Sequence, residues 1–213
     1  MEASPARQPP RSMSAQVALR AAAVARRRRS QPNGIWGMAL FLASEITIFG
    51  TLLSSYFYLD FEAHRWPPAG IKYPETLYPS VAAGWLFVAM VPVWLASRAS
   101  RAGRRTATLW ALAVGFLAQA GYLTAQVILF RHDLLQFSPK GSAYGSIYFT
   151  LLATHDAHVA LGLALDLALI WFILLRGLTN YWLVGVRGLA MFWYVVAFLE
   201  IPVLLTTLSP SFH

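Results

Sequence analysis

Apolar residues run along this chain in five long blocks, at about 34–59, 77–97, 106–130, 142–175 and 188–208, with short polar connections between them. A helix rises 1.5 Å per residue, so roughly 20 residues cross a hydrocarbon layer about 30 Å thick, and every block is long enough. The fourth would extend about 50 Å and must tilt or project beyond the hydrocarbon. A transmembrane strand needs only about half such a length. The pattern predicts an all-α polytopic membrane protein with five transmembrane helices.

Composition excludes the main alternatives. Of 213 residues, 57% are hydrophobic and only 12% charged, about half the charged share of soluble proteins, and mean hydropathy is +0.52. Neither a soluble domain nor a disordered chain has that balance. The absence of cysteine removes disulfides, thiolate zinc sites, cysteine-ligated iron–sulfur clusters and a cysteine nucleophile.

The net charge of +8 would suit nucleic acid, but its distribution assigns it to a membrane surface. Thirteen of the 17 basic residues fall on one side of the predicted spans: Arg7, Arg11, Arg20 and Arg26 to Arg29, then Arg98, Arg101, Arg104, Arg105, Arg176 and Arg187. Arg65, Lys72, Arg131 and Lys140 fall on the other, with Asp60, Glu62, Glu75 and Asp133. Basic connections stay cytoplasmic, which predicts an inner N-terminus and, after five spans, an outer C-terminus. Residues 1–33 read as a basic cytoplasmic tail whose Ala15–Ala25 stretch could lie on the membrane as an interfacial helix. The same acid-poor, arginine-rich segment has the composition of a mitochondrial transit peptide. Residues 34–213 form the membrane domain.

Ionisable groups inside the spans are the candidates for function, because an isolated charge at mid-bilayer costs at least about 2.5–3.5 kcal/mol. Glu45, His155, Asp156, His158, Asp166 and Glu200 qualify. Gly34, Gly37 and Ser44 are small enough for close helix approach, and Ser44 and Glu45 supply polar contacts between helices. Glu45 reads as a protonated carboxyl bonded within a bundle, a proton relay or a lipid contact. His155 and His158 lie about 60° apart around a helix. No His-Glu-x-x-His pattern or third soft ligand accompanies them, so no metal, haem or other cofactor is expected on this chain. Asp166 returns to nearly the face of His155 but roughly 16 Å along the axis, while Asp156 points elsewhere. Pro202 follows Glu200 closely, and Pro92 interrupts the second span; both can bend a helix. Tyr56, Phe57, Tyr58, Trp66, Tyr78, Tyr181 and Trp182 fit interfacial belts. Phosphate-loop, dinucleotide and nucleophile-elbow motifs are absent.

The same residues carry a family resemblance. The run Phe41-Leu42-Ala43-Ser44-Glu45, the Trp66-Pro67-Pro68 segment and the run Thr154-His155-Asp156-Ala157-His158-Val159 with Gly162 resemble subunit III of the haem–copper oxidases, in its short five-helix bacterial form. Gln119 corresponds to the glutamine of an intervening helix. The chain departs from the family at its last helix, where Tyr194 replaces a histidine and Ala197 an aspartate, and Glu200 follows.

The resemblance implies an accessory subunit in the bacterial cytoplasmic membrane, beside the catalytic subunit I and also subunit II and small subunits. Haem and copper would sit in those partners. The helices would form two groups around a lipid-holding cleft, with structural phospholipid, and the subunit would support proton uptake. Glu45, His155 and His158 are expected at interhelical polar contacts near the cleft, Trp66 at lipid or a helix end, and Arg98, Arg101 and Arg104 at anionic headgroups. A nitric-oxide reductase-like complex, a transporter and an assembly factor are the alternatives. No inverted repeat supports the transporter.

Overall fold

The computed structural model describes residues 33–72 and 76–209. Six helices follow one another: α1 (Asn33–Glu62), α2 (Leu77–Val88), α3 (Met90–Arg101), α4 (Arg105–Gln136), α5 (Ala143–Arg176) and α6 (Asn180–Leu208), with no strand among the described residues. Because α2 and α3 share one span, Leu77–Arg101, five segments are long and apolar enough to cross a membrane. The expected basic tail, its interfacial helix included, lies outside the described residues apart from Asn33.

The proline effects differ from one another. Pro92 has no amide hydrogen for the carbonyl of Val88, four residues back, and the regular helix is interrupted just before it, at Ala89, which keeps α-region dihedrals. Ala89 forms the joint, its N–H reaching Trp85 at 2.9 Å. Helix α6 runs through Pro202 without a break. The fifth span also begins earlier than expected, at Asn180 instead of Gly188. A long arginine side chain near a helix end can snorkel to the interface, so Arg187 does not terminate the helix. The connection between α5 and α6 therefore shrinks to residues 177–179, and Tyr181 and Trp182 lie in the first turn of α6. Gly177, with φ +75°, allows the chain to leave α5. At the other end of α5, the Ser142 hydroxyl caps the helix by accepting from the Gly145 N–H at 3.1 Å.

Helix α6 is the hub, packing on α1, α2, α3 and α5, while among the described helices α1 touches only α5 and α6. Helix α1 and the group α2, α3 and α4 share no helix–helix contact and are joined through α5 and α6. Leu86, Val93, Leu112, Val159, Phe192 and Trp193 fill the core around it. Large apolar side chains on the outer faces, such as Leu40 at 72% exposure and Trp110 at 69%, have no burial cost where the solvent is lipid. The hydroxyls of Ser44, Thr47, Thr51 and Ser55 are exposed on α1, and each donates to a carbonyl of its own preceding turn. The Ser44 hydroxyl is thus bonded within its own helix, and of the two nearby glycines only Gly34 lies close to a neighbour, Val184 on α6.

A second core closes the end of the bundle opposite the α5–α6 connection. Tyr56 is wholly buried, not interfacial. Its hydroxyl donates to the Thr206 carbonyl at 2.7 Å, lies 2.9 Å from Ser209 Oγ and accepts from Trp66 Nε1 at 3.0 Å. Trp66 packs edge-on against Tyr56 and Tyr144 and is only 7% exposed. It ties the outer loop to the bundle. Tyr58, Tyr78 and Tyr181 remain exposed, as interfacial anchors should be.

Candidate functional site

Three polar groups occupy the spans, and α5 contributes to all of them. At the first, Glu45 of α1 meets His158 of α5, with Oε2 and Nε2 2.7 Å apart. His158 Nδ1 lies 2.7 Å from the Thr154 carbonyl. A carbonyl can only accept, so Nδ1 carries a hydrogen and donates. Nε2 is then a lone pair when the ring is neutral, and the short contact needs one proton between it and the carboxyl. Either a carboxylic acid donates to imidazole or an imidazolium donates to carboxylate. Either arrangement leaves the pair without a net charge in hydrocarbon. Both side chains are about 15% exposed. His158 lines an open groove of about 620 Å³ walled by Phe130, Phe149, Thr150, Ala153 and Ala157.

One turn earlier, His155 turns toward α6 instead of α1. Its Nε2 lies 3.2 Å from the Val196 carbonyl and 3.4 Å from Glu200 Oε2, both on α6. This histidine is 1% exposed and Glu200 3%. The Tyr122 hydroxyl of α4 reaches Glu200 and accepts from Gln126 Nε2 at 2.7 Å. Asp156 is half-buried nearby, close enough to act electrostatically on Tyr122 and Glu200. Phe49 separates the two histidines, its ring edge-on to His155 at 6.3 Å and to His158 at 5.3 Å.

The third group lies deeper along α5. Trp193 Nε1 donates to Asp166 Oδ2 at 2.9 Å. The Gln119 amide nitrogen donates to the same oxygen and to the Gly115 carbonyl, each at 3.0 Å. All three side chains are essentially sealed. A carboxylate with two such donors joins α4, α5 and α6 while satisfying its buried oxygen.

These contacts divide the predicted residues. Glu45 and His158 come together, whereas His155 turns to Glu200, and Asp166 joins Gln119. Among the described residues, no three His, Asp or Glu side chains converge as metal ligands. Both His158 nitrogens are already committed. Sequence reasoning overlooked Tyr122, Gln126 and Trp193, although Gln119, Tyr122 and Gln126 recur at three- and four-residue spacing on one face of α4. That polar spacing within an apolar span was the available signal.

Comparison with known proteins adds the family. The model of the family described as cytochrome c oxidase subunit III matches residues 22–207. The chain belongs to the cytochrome c oxidase subunit III family. It is 30% identical over 148 residues to cytochrome bo(3) ubiquinol oxidase subunit 3 of Pseudomonas aeruginosa, covering 69% of this chain and 70% of that protein. Identity to cytochrome c oxidase subunit 3 of Bacillus subtilis is 29% over 133 residues, 62% of this chain and 64% of the relative. A quinol oxidase subunit 3 of Bacillus spizizenii is 27% identical over 151 residues, 68% of this chain and 71% of the relative. In this subunit III family member, the departures of the last helix fall at different places in the fold. Tyr194 is 41% exposed, Ala197 is packed at 3%, and Glu200 faces His155.

Proposed function

We propose that this chain is the accessory subunit III of a respiratory haem–copper oxidase in a bacterial cytoplasmic membrane, with its N-terminus inside. It packs beside the catalytic subunit I, with subunit II and small subunits completing the complex, and the redox centres are in those partners. Its contribution is to stabilise the catalytic subunit, hold phospholipid and support proton uptake.

The observation that carries this reading is the meeting of Glu45 and His158 at 2.7 Å. The Ser44-Glu45 run and the His155/His158 run lie more than 100 residues apart, Glu45 and His158 by 113, yet they meet in one short polar contact. His158 also lines an open groove walled largely by apolar side chains. A proton store supporting a neighbouring enzyme fits that chemistry better than catalysis by this chain. The exposed hydroxyl-bearing face of α1 suits close approach by a partner helix.

The test is purification through a tag on this chain in mild detergent, followed by mass spectrometry and haem spectroscopy. A haem-bearing catalytic subunit should co-purify. Glu45→Gln should weaken retention of the subunit or shorten the turnover lifetime of the complex, with haem bands unmoved. Recovery of the intact chain without any haem protein, or with stoichiometric haem or copper of its own, would refute the proposal.

A further inference from the structure

Asp156 has no part in the contact that carries the proposed function. It lies on α5, 13 residues after Ala143 and 20 before Arg176, so about 20 Å and 30 Å of helix separate it from the two ends. A hydrocarbon core is about 30 Å thick, and an aspartate side chain is too short to reach either interface from that depth. The residue is half-buried and close enough to act electrostatically on Tyr122 of α4 and Glu200 of α6. No group among the described residues donates to its carboxyl or pairs with it. We infer that the α5 face beside Asp156 seats a transmembrane helix of another subunit, and that this helix carries a lysine, arginine or histidine at the depth of Asp156. The inference rests on the subunit reading above and adds which face meets a partner and by what chemistry.

The helices around Asp156 supply no counter-charge. Helix α1 contains no lysine or arginine, and on α5 the sole one is Arg176. Arg131 of α4 and Arg187 of α6 each stand nine residues, about 14 Å, from Tyr122 and Val196 at this level. The neighbouring polar groups are already committed. His158 is bonded to Glu45, His155 faces the Val196 carbonyl and Glu200, and Tyr122 joins Glu200 and Gln126. Glu200 is itself an acid and would repel a carboxylate. An ionisable side chain at mid-bilayer is costly until it finds a partner. The phosphate and ammonium groups of lipid stay about 15 Å away, at the interface, whereas a crossing helix can bring a basic group to this depth.

The surface beside Asp156 suits such a helix. Ser146, Thr150, Ala153, Ala157, Ala160 and Ala164 recur every three or four residues along α5, and all six are exposed. They cover about 27 Å of helix, nearly the full hydrocarbon thickness. Small side chains at this spacing let a second backbone approach closely. The open groove of about 620 Å³ is lined by four of them, Ser146, Thr150, Ala153 and Ala157. An acyl chain would fill that groove but leave Asp156 unpaired. A second copy, related by a two-fold axis along the membrane normal, would set each Asp156 against its counterpart at equal depth, which like charge disfavours.

A photoreactive side chain at Ala157 of the full chain, cross-linked in intact membranes with the captured peptide sequenced, tests the inference. The adduct should be a transmembrane helix with a basic residue within one turn of the attachment point. A probe at Ala164 should mark the same helix about two turns further along. Asp156→Asn should reduce retention of that subunit in mild detergent by at least about tenfold, while Asp156→Glu should keep it. Replacing the basic residue of the captured helix with methionine should cause a similar loss. Combining that change with Asp156→Asn should recover most of the retention, since neither charge is then stranded. Leu117→Trp, on an exposed face of α4, should leave retention unchanged. Cross-linking to lipid, to a second copy or to a helix without a basic residue within one turn would overturn the inference, as would unchanged retention in Asp156→Asn. Haem spectroscopy of the purified complex separates this failure from that of the subunit reading: a haem protein that co-purifies while Ala157 captures lipid alone overturns the inference and leaves the reading standing.

Discussion

Replacing Gly162 with alanine probes a close contact between α5 and α6. A Cβ there would lie 2.6 Å from Trp193 Cζ2, 2.9 Å from Cη2 and 3.0 Å from Phe192 Cε1. The nearest of these is about 0.8 Å short of ordinary van der Waals contact. The indole has little room to yield, because Trp193 is fully buried and its Nε1 is bonded to Asp166. Either α5 and α6 separate or the indole swings and strains that bond. Overpacking costs about 1–3 kcal/mol, and an interhelical hydrogen bond in a membrane contributes about 0.6 kcal/mol. The combined loss should be about 2–4 kcal/mol, a roughly 30- to 700-fold change in the folding equilibrium. Denaturation in mixed micelles, followed by circular dichroism, would measure it. Gly37→Ala is the control, since no atom lies within 4 Å of its Cβ position, and alanine there should be neutral or stabilising. Trp193→Phe removes the two clashing ring atoms, so in that background Gly162→Ala should lose most of its cost. A Gly162→Ala protein as stable as Gly37→Ala, or a cost unchanged by Trp193→Phe, would refute the packing argument.

Other substitutions follow from the same contacts. Tyr56→Phe removes the acceptor of the Trp66 N–H and the donor to Thr206, and should cost about 1–3 kcal/mol by the same denaturation assay. Gln119→Leu takes one of two donors from Asp166 and should destabilise by up to about 2 kcal/mol. Adding Trp193→Phe to it should cost more than the sum of the single changes, because Asp166 would then lose both donors. Ser142→Ala removes the α5 cap and should cost about 1 kcal/mol, with most of it recovered by Ser142→Asp.

Long apolar blocks between arginine-rich connections were enough to define five spans, because a hydrocarbon layer imposes helix length and internal hydrogen bonding on any chain that crosses it. The Ser-Glu run and the paired histidines likewise marked the family and the residues worth examining. Helical spacing could place His155 and His158 about 60° apart, but it could not say that one would meet Glu45 and the other Glu200. Those partners lie 113 and 45 residues away in sequence, and only the seating of α1 and α6 on either side of α5 selects them. For the same reason Tyr56 and Trp66, aromatic residues near a span end, read as interfacial until their mutual hydrogen bond placed them in the outer core. Local patterning is dictated by the lipid surrounding each helix, whereas the polar contacts depend on which helices become neighbours.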